Sequence, residues 1–255
     1  MRQTNTYTFV FVIIIALVSA LVLSAASQAL KDKQALNIEN DRKKNILMAL
    51  GVYKNSACYN REKQDYSDNE KDCNVTCCYE KFIKSYAVDS KGKIKSGEII
   101  PERIEIEKEL EKTETDRTYP VFTRVDGDKI KAYCVPVIGK GLWSTLYGYL
   151  ALKKDMNTVT GLTFYKHGET PGLGAEIEKE WFQNNFIDKK IFNDKKELVS
   201  VKVVKGKVGA NSENKIHEVD GISGATLTGQ GVTKLLKSSL SLYEPYLRVV
   251  RKEVK

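Results

Sequence analysis

An apolar amino-terminal run constrains how this chain can fold more than any other feature. Residues 3–30 carry no charged side chain, and the stretch FVFVIIIALVSALVLSAA within them is long enough to cross a bilayer as a helix. A cleavable signal peptide is the alternative, because SAASQA supplies small residues near the end of the run. The run is long for a signal core, and those small residues lie inside it. We therefore predict a retained single-pass anchor at residues 7–30.

Charge does not orient this anchor or suggest a nucleic-acid partner. Arg2 lies on one side of the run and Lys31 and Lys33 lie on the other, so the positive charges leave the topology open. The net charge is +8, but acids and lysines are interspersed, as in DKKIFNDKKE. That pattern is typical of a mixed, solvated surface, and no homeodomain, zinc-finger or RNA-recognition signature accompanies it. We expect no nucleic-acid partner.

Four of the five cysteines crowd into residues 58–78. They are Cys58, Cys73, Cys77 and Cys78, and Cys134 lies apart. The spacing lacks the paired CxxC arms of a zinc or iron–sulfur site, so no metal site is predicted. Disulfide bonding in an oxidising compartment fits better, with free thiols as the alternative. Cys77 and Cys78 are adjacent and poorly placed to bond each other, and the odd count leaves at least one thiol over.

The pattern of the remaining chain predicts an α+β fold, in which flanking helices cover an antiparallel sheet. Residues 31–118 are predicted to form a helical stalk, up to about residue 50, followed by a cysteine-containing insertion. We expect no regular element in residues 51–80, and a charge-dense helix, partly extended, in residues 98–117. Residues 119–255 are predicted to form the main domain. A hairpin at Asp126–Gly127 opens it.

Further elements follow in this main domain from alternation and from helical spacing. The predicted strands are 143–152, 158–166 and 197–205, and the predicted helices are 175–186 and 232–247. Strand runs with late helices, rather than strict alternation of the two, favour an antiparallel over a parallel sheet.

The stretch Asp220-Gly-Ile-Ser-Gly-Ala-Thr-Leu-Thr228 is the most specific in the chain. It reads as a small-residue turn between a valine-rich strand region and a helix, and Thr226 can present its hydroxyl from such a turn. Helix amino termini and consecutive backbone N–H groups favour anions, so a phosphate on Thr226 is electrostatically suitable. The alternative is an ordinary helix-capping turn.

DGISGAT resembles the flavinylation motif D-G-x-S/T-G-A-T in the FMN-binding subunits of two related redox pumps. One is the Na+-translocating NADH:quinone reductase, and the other is the Rnf electron-transport complex. The resemblance implies a covalent phosphoester between FMN and Thr226, with Thr228 as the less favoured acceptor. It also implies a separate flavin transferase that makes the bond from FAD with Mg2+.

The same resemblance assigns further residues of this turn to the cofactor. Asp220 would orient the hydroxyl or meet the metal of the transferase. The residues implied to border the flavin are Ser223, Gly224 and Ala225.

A second stretch, HGETPGLGAEI at residues 167–177, is similar to the same family. Alone it is a proline–glycine turn that leads into a helix. The resemblance places this loop against the flavin, and Glu169 is either a flavin contact or a structural carboxylate. His167 is interpreted as structural. The implied contacts are Glu169, Thr170, Gly172, Leu173 and Gly174.

A third stretch, GKGLWSTLYG at residues 139–148, is similar to the FMN-binding subunit of the sodium pump more than to its Rnf counterpart. The resemblance implies that Leu142, Trp143 and Tyr147 lie near the flavin. Core packing is the alternative for aromatic residues beside strands.

Together the three stretches imply an electron-transfer subunit with covalent FMN in a bacterial, Na+-pumping NADH:ubiquinone reductase. The implied partners are the other subunits of that complex, the flavin transferase, and membrane lipid through one helix. The soluble domain would be periplasmic at the inner membrane. No GxGxxG motif opens a strand–turn–helix unit, so we expect no NADH site. An Rnf-type or stand-alone flavinylated carrier is the first alternative, and a secreted, disulfide-stapled binding domain without flavin is the second.

Overall fold

A computed structural model describes residues 5–54, 57–60, 65–66 and 74–253. The chain divides into two compact units, one ending at Asp41 and one beginning at Arg42. Helix α1, Asn5–Ala49, supplies the described part of the first unit and continues into the second. Residues 31–49 of the predicted stalk are therefore helical. The apolar side chains near the start of this helix are exposed, and its length and composition suit a membrane span, a property that signal sequences share.

A five-stranded antiparallel sheet forms the centre of the second unit. Its order is β4-β5-β6-β7-β8, so strands that follow each other in sequence also pair in space. The strands are β4 (Ile83–Asp89), β5 (Thr118–Asp126), β6 (Lys129–Lys140), β7 (Thr145–Lys153) and β8 (Val159–Lys166). The hairpin at Asp126–Gly127 is confirmed, and Gly127 adopts a φ of 57° that the tight turn requires.

Alternating side chains give this sheet two buried faces. On β6, Tyr133 and Val135 belong to a first core, whereas Ala132 and Cys134 belong to a second. The first core is covered by the carboxy-terminal helix α5, Thr226–Glu253. The second core contains the last turns of α1, including the buried Leu47. Helices on both faces of an antiparallel sheet confirm the predicted fold class.

Polar contacts fix helix α5 on the sheet as well as apolar packing. The buried hydroxyl of Ser239 accepts from the Ile138 N–H at 3.0 Å and donates to the Ile138 carbonyl oxygen at 3.1 Å. Farther along, the buried Tyr243 hydroxyl donates to the Pro120 carbonyl oxygen at 3.0 Å. The helix begins at Thr226, six residues before the predicted start at 232.

A disulfide links Cys58 to Cys78 in the second core. Cys77 is also disulfide-bonded, Cys134 is a buried free thiol, and Cys73 lies outside the described residues. Disulfide bonding is therefore confirmed for Cys58, Cys77 and Cys78. The elements around the cystine are β1 (Tyr53–Lys54), β2 (Ala57–Asn60), β3 (Asp65–Tyr66) and α2 (Val75–Phe82).

The expectation that residues 51–80 hold no regular element is wrong, because the short strands β1 to β3 and most of helix α2 lie there. The first turn of α2 is capped by Asn74, whose side-chain oxygen accepts from the Cys77 N–H at 3.0 Å. The charge-dense helix predicted over 98–117 shortens to α3, Ile106–Glu111, between two 3₁₀ turns at Pro101–Arg103 and Glu114–Asp116.

Two predicted elements after β8 are broken. The helix expected at 175–186 divides at Lys179, which is extended, into a 3₁₀ turn (Gly174–Glu178), α4 (Glu180–Gln183) and a second 3₁₀ turn (Asn184–Phe186). The strand expected at 197–205 shortens to β9, Lys202–Val203, after Ser200 at φ 65°. Strand β9 pairs in parallel with β10, Glu218–Val219, and a 3₁₀ turn at Lys215–His217 precedes β10.

Candidate functional site

The three stretches identified in the sequence meet at one end of the first core, around the side chain of Glu169. We call residues 141–144, between β6 and β7, the tryptophan loop, and residues 167–174, after β8, the glutamate loop. Residues 220–226, before and at the start of α5, are the threonine turn. Glu169 Oε1 accepts from the N–H groups of Trp143 at 2.9 Å and Ser144 at 3.3 Å. Its Oε2 accepts from the Leu142 N–H at 3.3 Å and from the Thr228 hydroxyl at 2.6 Å.

Glu169 thus joins the tryptophan loop to the first turn of α5. Only 5% of the residue is exposed. Burial raises its pKa, but the hydrogen bonds from Thr228, Trp143, Ser144 and Leu142 outweigh burial, so the net pKa lies below its ordinary value. The carboxylate is therefore ionised at neutral pH. Its oxygens bind groups of the protein itself, as the interpretation of Glu169 as a structural carboxylate expects.

Two glycines allow this close approach. A Cβ atom on Gly141 would lie 2.6 Å from Glu169 Oε1, and a Cβ atom on Gly174 would lie 2.6 Å from Thr228 Oγ1. Any larger residue at either position would push the loops apart. Gly174, which was predicted as a flavin contact, therefore allows the glutamate loop to pack closely against the first turn of α5.

The two threonines of the SGATLT segment have opposite environments. Thr228 is 1% exposed and donates its hydroxyl hydrogen to Glu169. Thr226, the first residue of α5, is exposed, as are Ser223 and Gly224 before it, whereas Ala225 is buried beneath them. Thr226 is therefore accessible from solvent, whereas the Thr228 hydroxyl is enclosed.

Large apolar side chains are exposed on the same loops. Trp143 is 70% exposed, and Leu142, Leu173 and Leu227 also reach the surface. Leu173 lies against the threonine turn, since a Cβ atom on Gly224 would meet its Cδ2 at 2.8 Å, and Gly224 itself has a φ of 75°. We call these four exposed side chains the apolar surface; they lie on loops that the Glu169 hydrogen bonds and the Leu173–Gly224 contact connect to the start of α5.

The rest of the glutamate loop is held by its own backbone. The Thr170 carbonyl oxygen accepts from the N–H groups of Leu173 and Ala175, both at 3.1 Å. Gly172 has a φ of 74° and open space around it. His167 accepts from the Glu169 N–H through Nδ1 at 3.3 Å, and its Nε2 lies 3.3 Å from Glu178 Oε2. The sequence showed no partner for His167, and the structure supplies one.

Asp220 and Tyr147 make their hydrogen bonds elsewhere. Asp220 Oδ1 accepts from the Val208 N–H at 2.8 Å. Tyr147 donates to Glu107 Oε1 at 2.5 Å, and burial, followed by this bond, raises its pKa to about 12. Its ring lies beside Tyr165, which packs against the second core. The structure therefore brings Trp143 and Leu142 to the site but places the Tyr147 ring toward the opposite face of the sheet.

Comparison with known proteins identifies the family. A family model described as FMN-binding domain matches residues 141–241, a range that contains all three loops and Thr226. The NqrC subunit of the Na(+)-translocating NADH-quinone reductase from Vibrio anguillarum is 34% identical over 240 residues, covering 88% of this chain and 86% of that protein. The chain belongs to the NqrC family of Na(+)-translocating NADH-quinone reductase subunits.

Solved structures of this family share the fold. The NqrC protein from Parabacteroides distasonis is 35% identical, with a TM-score of 0.68 over 86% of this chain and 96% of that one. NqrC from Shewanella oneidensis is 27% identical, with a TM-score of 0.64 over 84% of this chain and 98% of that one. The assignment to the NqrC family of the sodium pump, rather than to an Rnf-type or flavin-free protein, is confirmed.

Sequence reasoning missed two residues that hold the site of this NqrC-family chain together. Thr228 was considered only as a second acceptor, whereas its hydroxyl binds Glu169. Ser144 was not singled out, yet its hydroxyl oxygen accepts from the Gly168 N–H at 2.5 Å and links the tryptophan loop to the glutamate loop. Helical spacing could have indicated the first, because Thr228, Val232 and Leu235 share one buried face of α5.

Proposed function

We propose that this NqrC-family chain is a membrane-anchored electron carrier that holds FMN as a phosphoester on Thr226. It works with the other subunits of a Na+-translocating NADH:quinone reductase. The observation that carries the proposal is the exposed threonine at the start of a 28-residue helix, beside an exposed apolar surface. The flavin, when attached, supplies one-electron transfer, and NADH is oxidised on another subunit. The residues of this chain bind and orient the flavin.

The start of α5 suits the phosphate. The first intrahelical bond joins the Gly229 N–H to the Ala225 carbonyl oxygen, so the N–H groups of Thr226 and Leu227 precede the hydrogen-bonded ladder. Such groups and the helix dipole favour an anion at this end. A phosphate ester on the Thr226 oxygen lies within the first turn, where the effect is strongest.

The exposed apolar side chains suit the isoalloxazine ring. Leu173 contacts the threonine turn directly, and Trp143 and Leu142 are held close to it through the Glu169 carboxylate. Exposed large apolar side chains that cluster in this way mark a binding surface. Thr170 and the peptide N–H groups of the glutamate loop would donate hydrogen bonds to the flavin and so tune its potential.

The remaining parts of the proposal concern anchoring and assembly. The apolar segment of α1 would retain the chain in the bacterial inner membrane as a single span. The disulfides support a periplasmic domain, because such bonds persist in oxidising compartments. Membrane lipid, the neighbouring subunits and a flavin transferase are then the partners.

Covalent attachment at Thr226 is tested by coexpression with a flavin transferase and ultraviolet fluorescence of the denatured, washed chain on a gel. Wild type and Thr226→Ser should fluoresce, since both offer a hydroxyl, and Thr226→Val should not. Thr228→Val tests the less favoured acceptor, and it should keep the signal because the Thr228 hydroxyl is enclosed. Fluorescence that persists in Thr226→Val would contradict the assignment.

A pair of substitutions tests the role of Asp220 in attachment. Asp220→Ala removes the acceptor for the Val208 N–H together with the charge, whereas Asp220→Asn keeps an acceptor and removes only the charge. If Asp220 meets the metal of the transferase, both variants carry little flavin. Normal flavin loading of both variants rules that role out. Normal loading of Asp220→Asn alone would show that Asp220 matters only as the hydrogen-bond acceptor for the Val208 N–H.

A further inference from the structure

The charge of Glu169 is compensated in an unusual way. In the described part of the chain its carboxylate makes no ion pair, and its partners are three backbone N–H groups and one hydroxyl. A buried carboxylate generally needs either a cation or several hydrogen-bond donors. Here the donors stabilise the ionised form, and a full negative charge stays beneath the surface that borders Thr226.

The charge of Glu169 is connected to Thr226 through the first turn of α5. Glu169 Oε2 lies 2.6 Å from the hydroxyl of Thr228, which is two residues after Thr226 in that turn, on the buried side of the helix, whereas Thr226 is exposed. One carboxylate also orients the tryptophan loop, whose Leu142 and Trp143 form part of the apolar surface. Glu169 therefore influences the site both through the position of its neighbours and through its field.

We propose that Glu169 is a positioning residue that fixes the tryptophan loop against the first turn of α5 and lowers the reduction potential of the flavin carried there. The inference rests on the proposed function. It holds that Glu169 does not touch the flavin directly, but acts on it by positioning the tryptophan loop and by the electrostatic field of its charge. A fixed negative charge disfavours an electron added nearby. Salt screens a buried charge much less than an exposed one.

Substitutions of Glu169 and of Thr228, which share the shortest of the four hydrogen bonds of the carboxylate, should shift the potential in opposite directions. Glu169→Gln removes the negative charge at nearly constant shape, so the midpoint potential should become more positive. Thr228→Val removes one of the four donors and leaves the charge less compensated, so the potential should become more negative. A merely structural role for Glu169 would not produce opposite signs.

Glu178→Gln is the matched control. Glu178 is exposed and next to the glutamate loop, 3.3 Å from His167 Nε2, and it lies 3.4 Å from Lys179 Nζ. Its substitution removes one carboxylate charge that water already screens, so the potential should stay at the wild-type value. The measurement is a redox titration of flavin absorbance on the covalently loaded full chains.

Each result decides the inference. A Glu169→Gln potential equal to that of wild type, or an equal shift in Glu178→Gln, overturns the proposed effect on potential. If Glu169→Gln does not accumulate as folded, loaded protein, Thr228→Val decides alone, and a potential at or above the wild-type value overturns the effect. A wild-type chain whose Thr226 peptide carries no added mass is a different failure, because it contradicts covalent attachment itself.

A measurement on the chain made without transferase tests the positioning part separately. The Trp143 N–H donates to Glu169 at 2.9 Å, so its hydrogen exchange should be slow in wild type and in Glu178→Gln. Exchange should be several-fold faster in Glu169→Gln, because an NH2 group, which donates, replaces one of the two carboxylate oxygens that accept. Equal exchange in all three chains would show that Glu169 does not hold the tryptophan loop.

Discussion

The two faces of the sheet are closed by different means. The first face is covered by α5 and by segments from residues 174–222, and its core consists of large aliphatic and aromatic side chains. The second face is covered by the end of α1 and by a short region around the Cys58–Cys78 cystine. The helix that closes the first face also begins with Thr226, whereas the second-core residues in the described part of the chain all lie outside the three loops. Packing of the first face should therefore be coupled to flavin attachment, and packing of the second should not.

The largest expected effect comes from shortening one buried leucine on each face. Leu236 of α5 and Leu47 of α1 are both fully buried. Either change to alanine should lower the free energy of unfolding by about 2–5 kcal/mol, because a cavity remains. Only Leu236→Ala should also reduce the flavin fluorescence of the folded fraction. Chemical denaturation measures the stability and gel fluorescence measures the flavin. Equal flavin loss in both variants would contradict the proposed coupling of the first face alone to flavin attachment.

The cystine is the next test of the second face. Cys58 and Cys78 are 20 residues apart, and the loop-entropy account assigns such a bond about 3 kcal/mol. The double change of both cysteines to alanine should lower the urea midpoint accordingly while the flavin yield per folded chain stays at the wild-type level. A lower yield at unchanged stability would link the second face to the site.

A smaller effect is expected where α5 is hydrogen-bonded to the sheet. Ser239→Ala leaves the N–H and carbonyl of Ile138 without their side-chain partner, which should cost about 1–3 kcal/mol. Ser241→Ala is the control, since its exposed hydroxyl bonds only the Lys237 carbonyl within the same helix. Its effect should stay within about 0.5 kcal/mol. Thermal unfolding of both chains checks the difference, and similar losses would contradict the role of Ser239.

The smallest expected effect is a dependence of stability on pH through Glu169. Its pKa is lowered in the folded chain, so its contribution is complete above the unfolded value near 4.5 and is lost as pH falls through the folded pKa. Between pH 7 and pH 3 the unmodified wild-type chain should therefore lose more stability than Glu169→Gln does. Thermal unfolding at each pH measures this slope, and parallel curves would show that Glu169 adds no pH dependence.

Local patterns in the sequence were sufficient for strands β5 to β8 and for the threonine turn, but the edge strand β4 was not predicted. Alternation along residues 121–137 and a turn at Gly127 predicted the first hairpin, because strand periodicity and turn chemistry are properties of neighbouring residues. The helix after the threonine turn was also visible from its leucine spacing. The same rules could have placed Tyr147, since the adjacent Leu146 belongs to the first core and successive strand residues face opposite sides.

Other features depend on contacts between distant residues and had no local signal. Glu169 and Thr228 meet across 59 positions, and no pattern around either residue predicts the other as its partner. The break at Lys179 follows from burial of Ile177 and Phe182 on both sides of it, which one regular helix does not satisfy. The short strand β9 likewise depends on its parallel partner β10 rather than on its own valines.

The chain order of the sheet has a consequence for biosynthesis. Strands β4 to β8 each pair with the next one made, so hairpins can assemble from local contacts while the carboxy-terminal residues are still missing. Helix α5 is made last and packs on β6 in the middle of the sheet, so the tryptophan and glutamate loops gain their final support only at the end of synthesis. Under the proposed function, a transferase that recognises the completed turn would modify full-length, folded chains and not truncated ones. Bound flavin would then also identify the chains that have been completed.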